Sequence, residues 1–286
     1  MAKRSVPIVR SRFTPGALDH SPADIAKVNS IALLIREDIS SARSEDVLVT
    51  RSPRDSMKRH VHDATFSPRG VQRREAVGFA VAVAALGIFA GLFAIVRANQ
   101  SAAADIEITL RMQRRRHPFL AQLLALASWP GFPPQSGLIP ASLAGGLWFL
   151  GFRLEAVFQF FAWGTSGISL FFKSLMRRAR PSNDHPQIRV AVARIGGSSF
   201  PSGHVLNYMG VFGFFAYLIH SHLRPAAIRR IVISALVSLI GLVGPSRIYL
   251  GHHWATDVTA SYMLGTAYLI GLTTCYRRVR EYFDSR

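Results

Sequence analysis

The chain has 286 residues, 49% of them hydrophobic, and its 34 Lys and Arg residues against 16 Asp and Glu give a formal net charge of +18. The apolar residues lie in long blocks, which is typical of a membrane protein. No recognisable nucleic-acid-binding module accompanies the charge, so we expect anionic lipid or an acidic substrate, and no nucleic acid, as the partner. The single cysteine, Cys275, excludes an internal disulfide.

The first 75 residues are polar, basic and rich in Ser and Pro, and this composition predicts a largely disordered tail. Within it, Ser21-Pro22 is typical of a helix start and apolar residues recur at helical spacing, so we predict an amphipathic helix over 22–40. The pattern suits a helix on the membrane surface and a helix packed on the protein itself equally well. We expect no cleavable signal peptide, because no long apolar run comes early.

Six apolar blocks predict six membrane-spanning helices. The first, 76–96, is an uncharged run bounded by arginines and is typical of a signal anchor. A shorter apolar stretch, 119–129, ends in Trp-Pro-Gly and is predicted to be an interfacial or re-entrant helix. The other five spans are predicted at 137–152, 154–172, 205–219, 231–244 and 258–276.

An even number of spans places both termini on one side of the membrane. The positive-inside rule then assigns residues 1–75, 220–230 and 277–286 to the cytoplasm, because all three segments are basic. The three motifs described below fall on the opposite, extracytoplasmic face. Arg111 and the arginines at 114–116 lie there against the rule. They either flank an anionic lipid surface or mark an error in this topology.

These patterns predict an all-α fold, an integral-membrane six-helix bundle with an interfacial helix and a largely disordered basic N-terminal tail. The predicted organisation is a cytoplasmic tail over 1–75, a six-span domain over 76–276 with its motif-bearing core at 117–276, and a second basic cytoplasmic tail over 277–286. The compact six-span form favours the inner (plasma) membrane of a bacterium.

The first motif is Lys173, six residues, then Arg180-Pro181. If the third span continues as a helix beyond the membrane, Lys173, Arg177 and Arg180 share one face, and Pro181 ends the helix. An ammonium beside a planar guanidinium suits a phosphate dianion. A basic end of a span that reaches for the interface is the alternative, so this motif is weak by itself.

The second motif is Pro201-Ser202-Gly203-His204, which leads into the fourth span. Ser202 is predicted to cap that helix, and the amides of Gly203 and His204 are then unpaired donors that favour an anion. His204 titrates near neutrality and can protonate a departing alkoxide. A helix cap beside an interfacial histidine is the alternative interpretation.

The third motif is Ser246-Arg247, five residues, His253, three residues, Asp257. On a helix, His253 and Asp257 share a face, so the carboxylate can hold one imidazole nitrogen and leave the other free to attack. Arg247 is placed to meet charge that develops on a phosphoryl group. His252 projects elsewhere on a helix, and we assign it a structural role.

The three motifs resemble the signature of the type 2 phosphatidic acid phosphatase superfamily, K-x6-RP, PSGH and SR-x5-H-x3-D, and no position departs from it. The resemblance covers about residues 117–276 and implies an α-helical bundle that needs no metal or cofactor. It implies that His253 is the nucleophile that forms a phosphohistidine, that Asp257 orients it, and that His204 is the acid for the leaving group and then the base for water. The phosphate-binding residues that it implies are Lys173, Arg180, Ser202, Gly203 and Arg247.

The resulting functional prediction is an integral-membrane lipid phosphate phosphatase. Its substrate would be a phosphatidate-like lipid, phosphatidylglycerol phosphate or a polyprenyl diphosphate, and its surroundings the lipid bilayer. The sequence does not choose among these lipids and does not give the oligomeric state. Two alternatives stay open, a lipid phosphotransferase that uses the same phosphohistidine and a non-catalytic lipid-binding membrane protein. A vanadium haloperoxidase, which shares the anion site, is disfavoured by the six apolar spans.

Overall fold

A computed structural model of the chain describes residues 68–114, 117–181, 185–190 and 196–286, with side chains from residue 72 onward. The predicted tail up to residue 67, with its amphipathic helix at 22–40, lies outside the described residues. In the described ranges every regular element is a helix, as the sequence predicts. The first helix begins at Pro68, within the segment that composition assigned to the tail.

We number the helices in chain order. They are α1 (Pro68–Arg97), α2 (Ala102–Gln113), α3 (Pro118–Ser128) followed by a 3₁₀ turn (Trp129–Gly131), α4 (Gln135–Phe149), α5 (Arg153–Ala162), α6 (Thr165–Met176), α7 (Gly203–Asn207) followed by a π turn (Tyr208–Phe212), α8 (Gly213–His222), α9 (Ala226–Tyr249) and α10 (Ala255–Asp284).

Among the described residues, two helices are long and apolar enough to cross a membrane by length and composition. They are the Gln72–Arg97 part of α1 and the whole of α9, with mean hydropathies of 2.6 and 2.0. Most of their apolar side chains face outward, among them Phe79 and Ile231, rather than into the protein. An apolar face of this size needs a cover other than water, and lipid provides it.

Of the remaining predicted spans, the one at 258–276 lies within the long helix α10, and the other three correspond to shorter or interrupted helices. The predicted 154–172 span is divided at Trp163 and Gly164 into α5 and α6, and the predicted 205–219 span contains the π turn between α7 and α8. The predicted 119–129 element coincides with α3, and its placement relative to the membrane stays a prediction. The count of six spans likewise stays a prediction.

Apolar packing holds in place the helix ends that carry the second and third motifs. The buried side chains of Val205, Tyr208, Val243 and Val258 form one cluster that joins α7, the π turn, α9 and α10. A second cluster contains Phe200 and joins the start of α7 to α1 and α10. The N-terminal ends of α7 and α10 and the C-terminal end of α9 are therefore held at one end of the bundle.

Candidate active site

The three motifs meet at this end of the bundle. The Arg180 Nη1 atom lies 3.3 Å from His253 Nε2 and donates to the His252 carbonyl over 2.8 Å, so the first motif contacts the third. The second motif approaches the first at Gly203. A Cβ built on Gly203 lies 3.9 Å from the Lys173 ammonium. Segments far apart in sequence thus form one site, as the resemblance predicted.

His253 is buried, and its ring is held in one orientation by backbone. Its Nδ1 atom donates to the Ser199 carbonyl over 2.7 Å, so Nε2 is the unprotonated nitrogen and faces Arg180. Burial lowers the pKa of His253 well below its ordinary value, and the positive charges of Arg180, Arg247 and Lys173 lower it further. The imidazole is therefore neutral near pH 7, which a nucleophile requires.

The predicted contact between His253 and Asp257 is only partly realised. His253 lies in the loop before α10, not on a helix, because α10 begins at Ala255. The Asp257 Oδ2 atom lies 3.6 Å from His253 Nδ1, which is ion-pair distance but longer than a hydrogen bond. The Ser199 carbonyl occupies the position that the sequence assigned to the carboxylate. Asp257 instead accepts from the Trp254 amide over 2.9 Å and so caps α10.

The first motif does not continue as a helix, so that prediction was wrong. Helix α6 ends at Met176 because Arg177 adopts a left-handed conformation with φ +47°, and the Arg177 side chain is exposed. Arg180 is reached through the loop that follows and is buried. Its guanidinium donates to the carbonyls of Gly196 and Gly197, each over 3.2 Å, and so connects the loop after α6 to the segment before α7.

Arg247 presents one free edge of its guanidinium to the site. It is fully buried in the last turn of α9, donates from Nη1 to the Ser128 hydroxyl over 2.7 Å, and lies 4.9 Å from the centre of the Phe132 ring. Its Nε and Nη2 atoms have no hydrogen-bond partner within the described part of the chain. A guanidinium held at one edge and unpaired at the other suits a bidentate oxyanion.

Other buried polar atoms share this lack of a partner among the described residues. The Ser202 hydroxyl makes no capping bond, although Ser202 takes the predicted N-cap position, and His204 Nε2 and the Ser169 hydroxyl are also unpaired. The Ser169 oxygen lies 3.2 Å from a Cβ built on Gly203. Unpaired buried groups each cost about 1–3 kcal/mol, so a cluster of them around three cations indicates an anionic ligand.

The turn after α3 forms one wall of the site, which the sequence did not predict. The Phe132 ring lies 4.7 Å from the His204 ring, centre to centre, and also covers Arg247. Gly131 approaches so closely that a Cβ on it would lie 2.2 Å from His204 Cδ2. The Trp-Pro-Gly sequence signalled only the end of a helix, because contact with a histidine over 70 residues away has no local signature.

Gly131→Ala is therefore expected to lower phosphate release by about 10- to 100-fold, because the methyl group displaces His204 from its position. The rate of phosphate release by the purified variant is the measurement. Gly145→Ala is the matched control, since a Cβ there meets nothing within 4 Å. Equal rates for the two variants would show that His204 does not need this position.

The fold and the site together define a class: an all-helical membrane protein with a buried histidine beside an arginine-rich site that suits an oxyanion. Residues 155–281 match the family model of the PAP2 superfamily. The matched residues include all three motifs, and the match confirms the resemblance that these motifs carry.

The chain is also similar to individual known proteins. The chain is 27% identical over 178 residues to phosphatidylglycerophosphatase B of Bacillus subtilis (strain 168), which covers 61% of this chain and 84% of that protein. The crystal structure of a transmembrane PAP2-type phosphatidylglycerolphosphate phosphatase from Bacillus subtilis matches with a TM-score of 0.61 at 24% identity, over 69% of this chain and 96% of that one. Aquifex aeolicus LpxE matches with a TM-score of 0.47 at 19% identity, over 60% and 95% of the two chains.

Proposed function

We propose that the protein is an integral-membrane lipid phosphate phosphatase that acts through a phosphohistidine on His253. The observation that carries the proposal is the orientation of the buried imidazole, with Nδ1–H on the Ser199 carbonyl and Nε2 toward Arg180. The family match over 155–281 supports it, because these residues include all three motifs.

In the first half of the reaction, the phosphate group binds among the cations and the unpaired donors. His253 Nε2 attacks phosphorus, the bond to the lipid oxygen breaks, and His204 donates a proton to that oxygen. The groups that hold the three equatorial oxygens are Lys173, Arg180, Ser202, the Gly203 amide and Arg247.

In the second half, water attacks the phosphohistidine. His204, now unprotonated, takes a proton from the water, and His253 leaves as neutral imidazole. While phosphoryl occupies Nε2, the ring keeps its proton on Nδ1 and carries positive charge. The Ser199 carbonyl and the Asp257 carboxylate, 3.6 Å from Nδ1, stabilise that charge.

Phosphatidylglycerol phosphate is the substrate that we favour among the three predicted lipids. The curated relative at 27% identity carries the name phosphatidylglycerophosphatase B, and the match spans 84% of its length. Phosphatidate and polyprenyl diphosphate present the same terminal phosphate to the site and differ in the groups beyond it.

The membrane arrangement that we propose has six spans, cytoplasmic termini and an extracytoplasmic active site in a bacterial inner membrane. The basic segments at 220–230 and 277–286 support it through the positive-inside rule. The test uses cells that express the Cys275→Ser variant with one new cysteine, introduced in place of Gln187 or of Arg286. A membrane-impermeant maleimide should label intact cells only through position 187, and labelling only through position 286 would reverse the topology.

Phosphate release from defined lipids tests the function itself. The detergent-purified protein is given phosphatidylglycerol phosphate, phosphatidate and undecaprenyl diphosphate, each with EDTA present. We expect EDTA-resistant release that is fastest with phosphatidylglycerol phosphate. Release that requires an added alcohol acceptor would instead identify a phosphotransferase, and neither release nor transfer with any lipid would favour a non-catalytic lipid-binding protein.

A further inference from the structure

Three charged side chains form a row of ion pairs beside the Nδ1 atom of His253. They are Asp257, Arg178 and Asp105. The Arg178 guanidinium donates from Nη2 to Asp105 Oδ2 over 2.7 Å and from Nη1 to Asp257 Oδ1. Both carboxylates are fully buried, and 14% of the Arg178 side chain is exposed. These three side chains connect α2, the loop after α6 and the first turn of α10.

Asp105 is tied to α10 as firmly as to Arg178. Its Oδ1 atom accepts from the Thr256 amide over 3.0 Å, and its Oδ2 atom accepts from the Thr256 hydroxyl over 2.7 Å. The Arg178 fork also donates to the hydroxyls of Thr256 and Ser101, over 2.8 and 3.1 Å. Both carboxylate oxygens of Asp105 and both terminal nitrogens of Arg178 therefore have hydrogen-bond partners.

The charges in this cluster explain why arginine occupies position 178. Two carboxylates and one guanidinium leave one net negative charge, next to a site with the three cations Lys173, Arg180 and Arg247. Without Arg178, two buried carboxylates would lose their shared counter-ion, which is costly in a protein interior. A lysine keeps the charge but cannot hold both carboxylates with two separate edges.

We propose that Arg178, held by Asp105, is a positioning residue for the nucleophile. It favours the ionised form of Asp257 against the effect of burial and turns the carboxylate so that Oδ2 faces His253 Nδ1. It thereby makes helix α2 part of the catalytic apparatus. This inference rests on the proposed function, because its benefit comes when His253 carries the phosphoryl group and a positive charge. Neither residue contacts the phosphate, so both act through Asp257.

The test compares Arg178→Gln, Asp105→Asn and the double variant, with Arg177→Gln as the matched control because Arg177 is adjacent and exposed. For Arg178→Gln we expect kcat to fall by about 10- to 100-fold while KM stays within about threefold, since binding of the phosphate is not its role. Arg178→Lys should recover part of the loss. The double variant should be about as slow as Arg178→Gln, because both changes act on one carboxylate.

A kcat for Arg178→Gln within about twofold of wild type, or an effect on KM alone, would overturn the proposal. So would fully additive losses in the double variant. If Arg178→Gln does not fold, Asp105→Asn decides, because it changes one atom and keeps the side-chain volume. An unchanged kcat in that variant would also overturn the proposal.

Orthovanadate separates this inference from the proposed function, because it adopts the five-coordinate geometry of phosphoryl transfer without turnover. We expect orthovanadate to raise the melting temperature of wild type and Arg177→Gln, and to raise that of Arg178→Gln much less. If wild type hydrolyses no lipid, the proposed function fails, and the vanadate shifts still decide the role of Arg178. If wild type shows no vanadate shift, or Arg178→Gln shows the full shift, the positioning role is contradicted.

Discussion

His253→Ala is expected to abolish phosphate release, with a loss of at least about 10⁴-fold, while the protein remains folded and inserted in the membrane. The variant removes the imidazole nitrogen that lies 3.3 Å from the Arg180 guanidinium. His204 cannot take over, because its ring is held against Phe132 and the Gly131 backbone. Deleting a nucleophile removes the covalent route entirely, so the effect is on kcat.

The measurement is phosphate release by the variant purified in the same detergent as wild type, with unchanged elution volume and melting temperature as the check on folding. His220→Ala is the matched control, since His220 is exposed on α8. We expect this control to hydrolyse lipid at the wild-type rate. If His253→Ala retained most of the activity, the assigned nucleophile would be wrong.

Arg247→Lys is expected to lower kcat by about 10²- to 10³-fold, although the charge is kept. The guanidinium uses one edge to hold the Ser128 hydroxyl at 2.7 Å and leaves Nε and Nη2 for the phosphate. Its Cζ atom also lies over the Phe132 ring, 4.9 Å from the ring centre. A lysine ammonium is a single point that cannot serve both edges or stack on the ring.

Arg230→Lys provides the control, because Arg230 is exposed at the opposite end of the same helix, α9. Initial rates across a range of substrate concentrations separate kcat from KM in both variants. We expect Arg230→Lys to match wild type in both constants. Turnover near the wild-type value in Arg247→Lys would remove Arg247 from the phosphate site.

Local patterns were sufficient to predict the long apolar helices and to single out the motif residues. The predicted span at 231–244 lies within α9, and the predicted span at 258–276 lies within α10, because long apolar runs favour helices that can bury or cover them. Helix α9 even continues past Gly244 and Pro245 to Tyr249. The residues of the three motifs come together because each motif lies at a helix end, and these ends meet on one side of the bundle.

The chain's path between the helices could not be predicted in the same way. The left-handed conformation of Arg177 ends α6 early and turns Arg178 inward and Arg177 outward, although the two neighbours are chemically identical. Which of two arginines is buried depends on the carboxylates that tertiary packing brings near. The same holds for the Ser199 carbonyl, which any residue type could supply to His253.

Helix α2 shows this limit most clearly. The stretch from 97 to 135 is mixed in composition, and its features of note in the sequence were the apolar run at 119–129 and a group of arginines. Asp105 gives no signal there, because an acidic residue in a polar stretch is usually exposed. Only its burial between Arg178 and Thr256 indicates a role at the active site.

Trapping the phosphoenzyme is the most direct test of the account. The purified protein is mixed with phosphatidylglycerol phosphate, quenched in alkali, which preserves phosphohistidine, and digested for mass spectrometry. The account predicts phosphate on His253 in wild type, and none on the corresponding peptide of His253→Ala. Rapid turnover by wild type without any phosphohistidine, or with phosphate on a different residue, would contradict it.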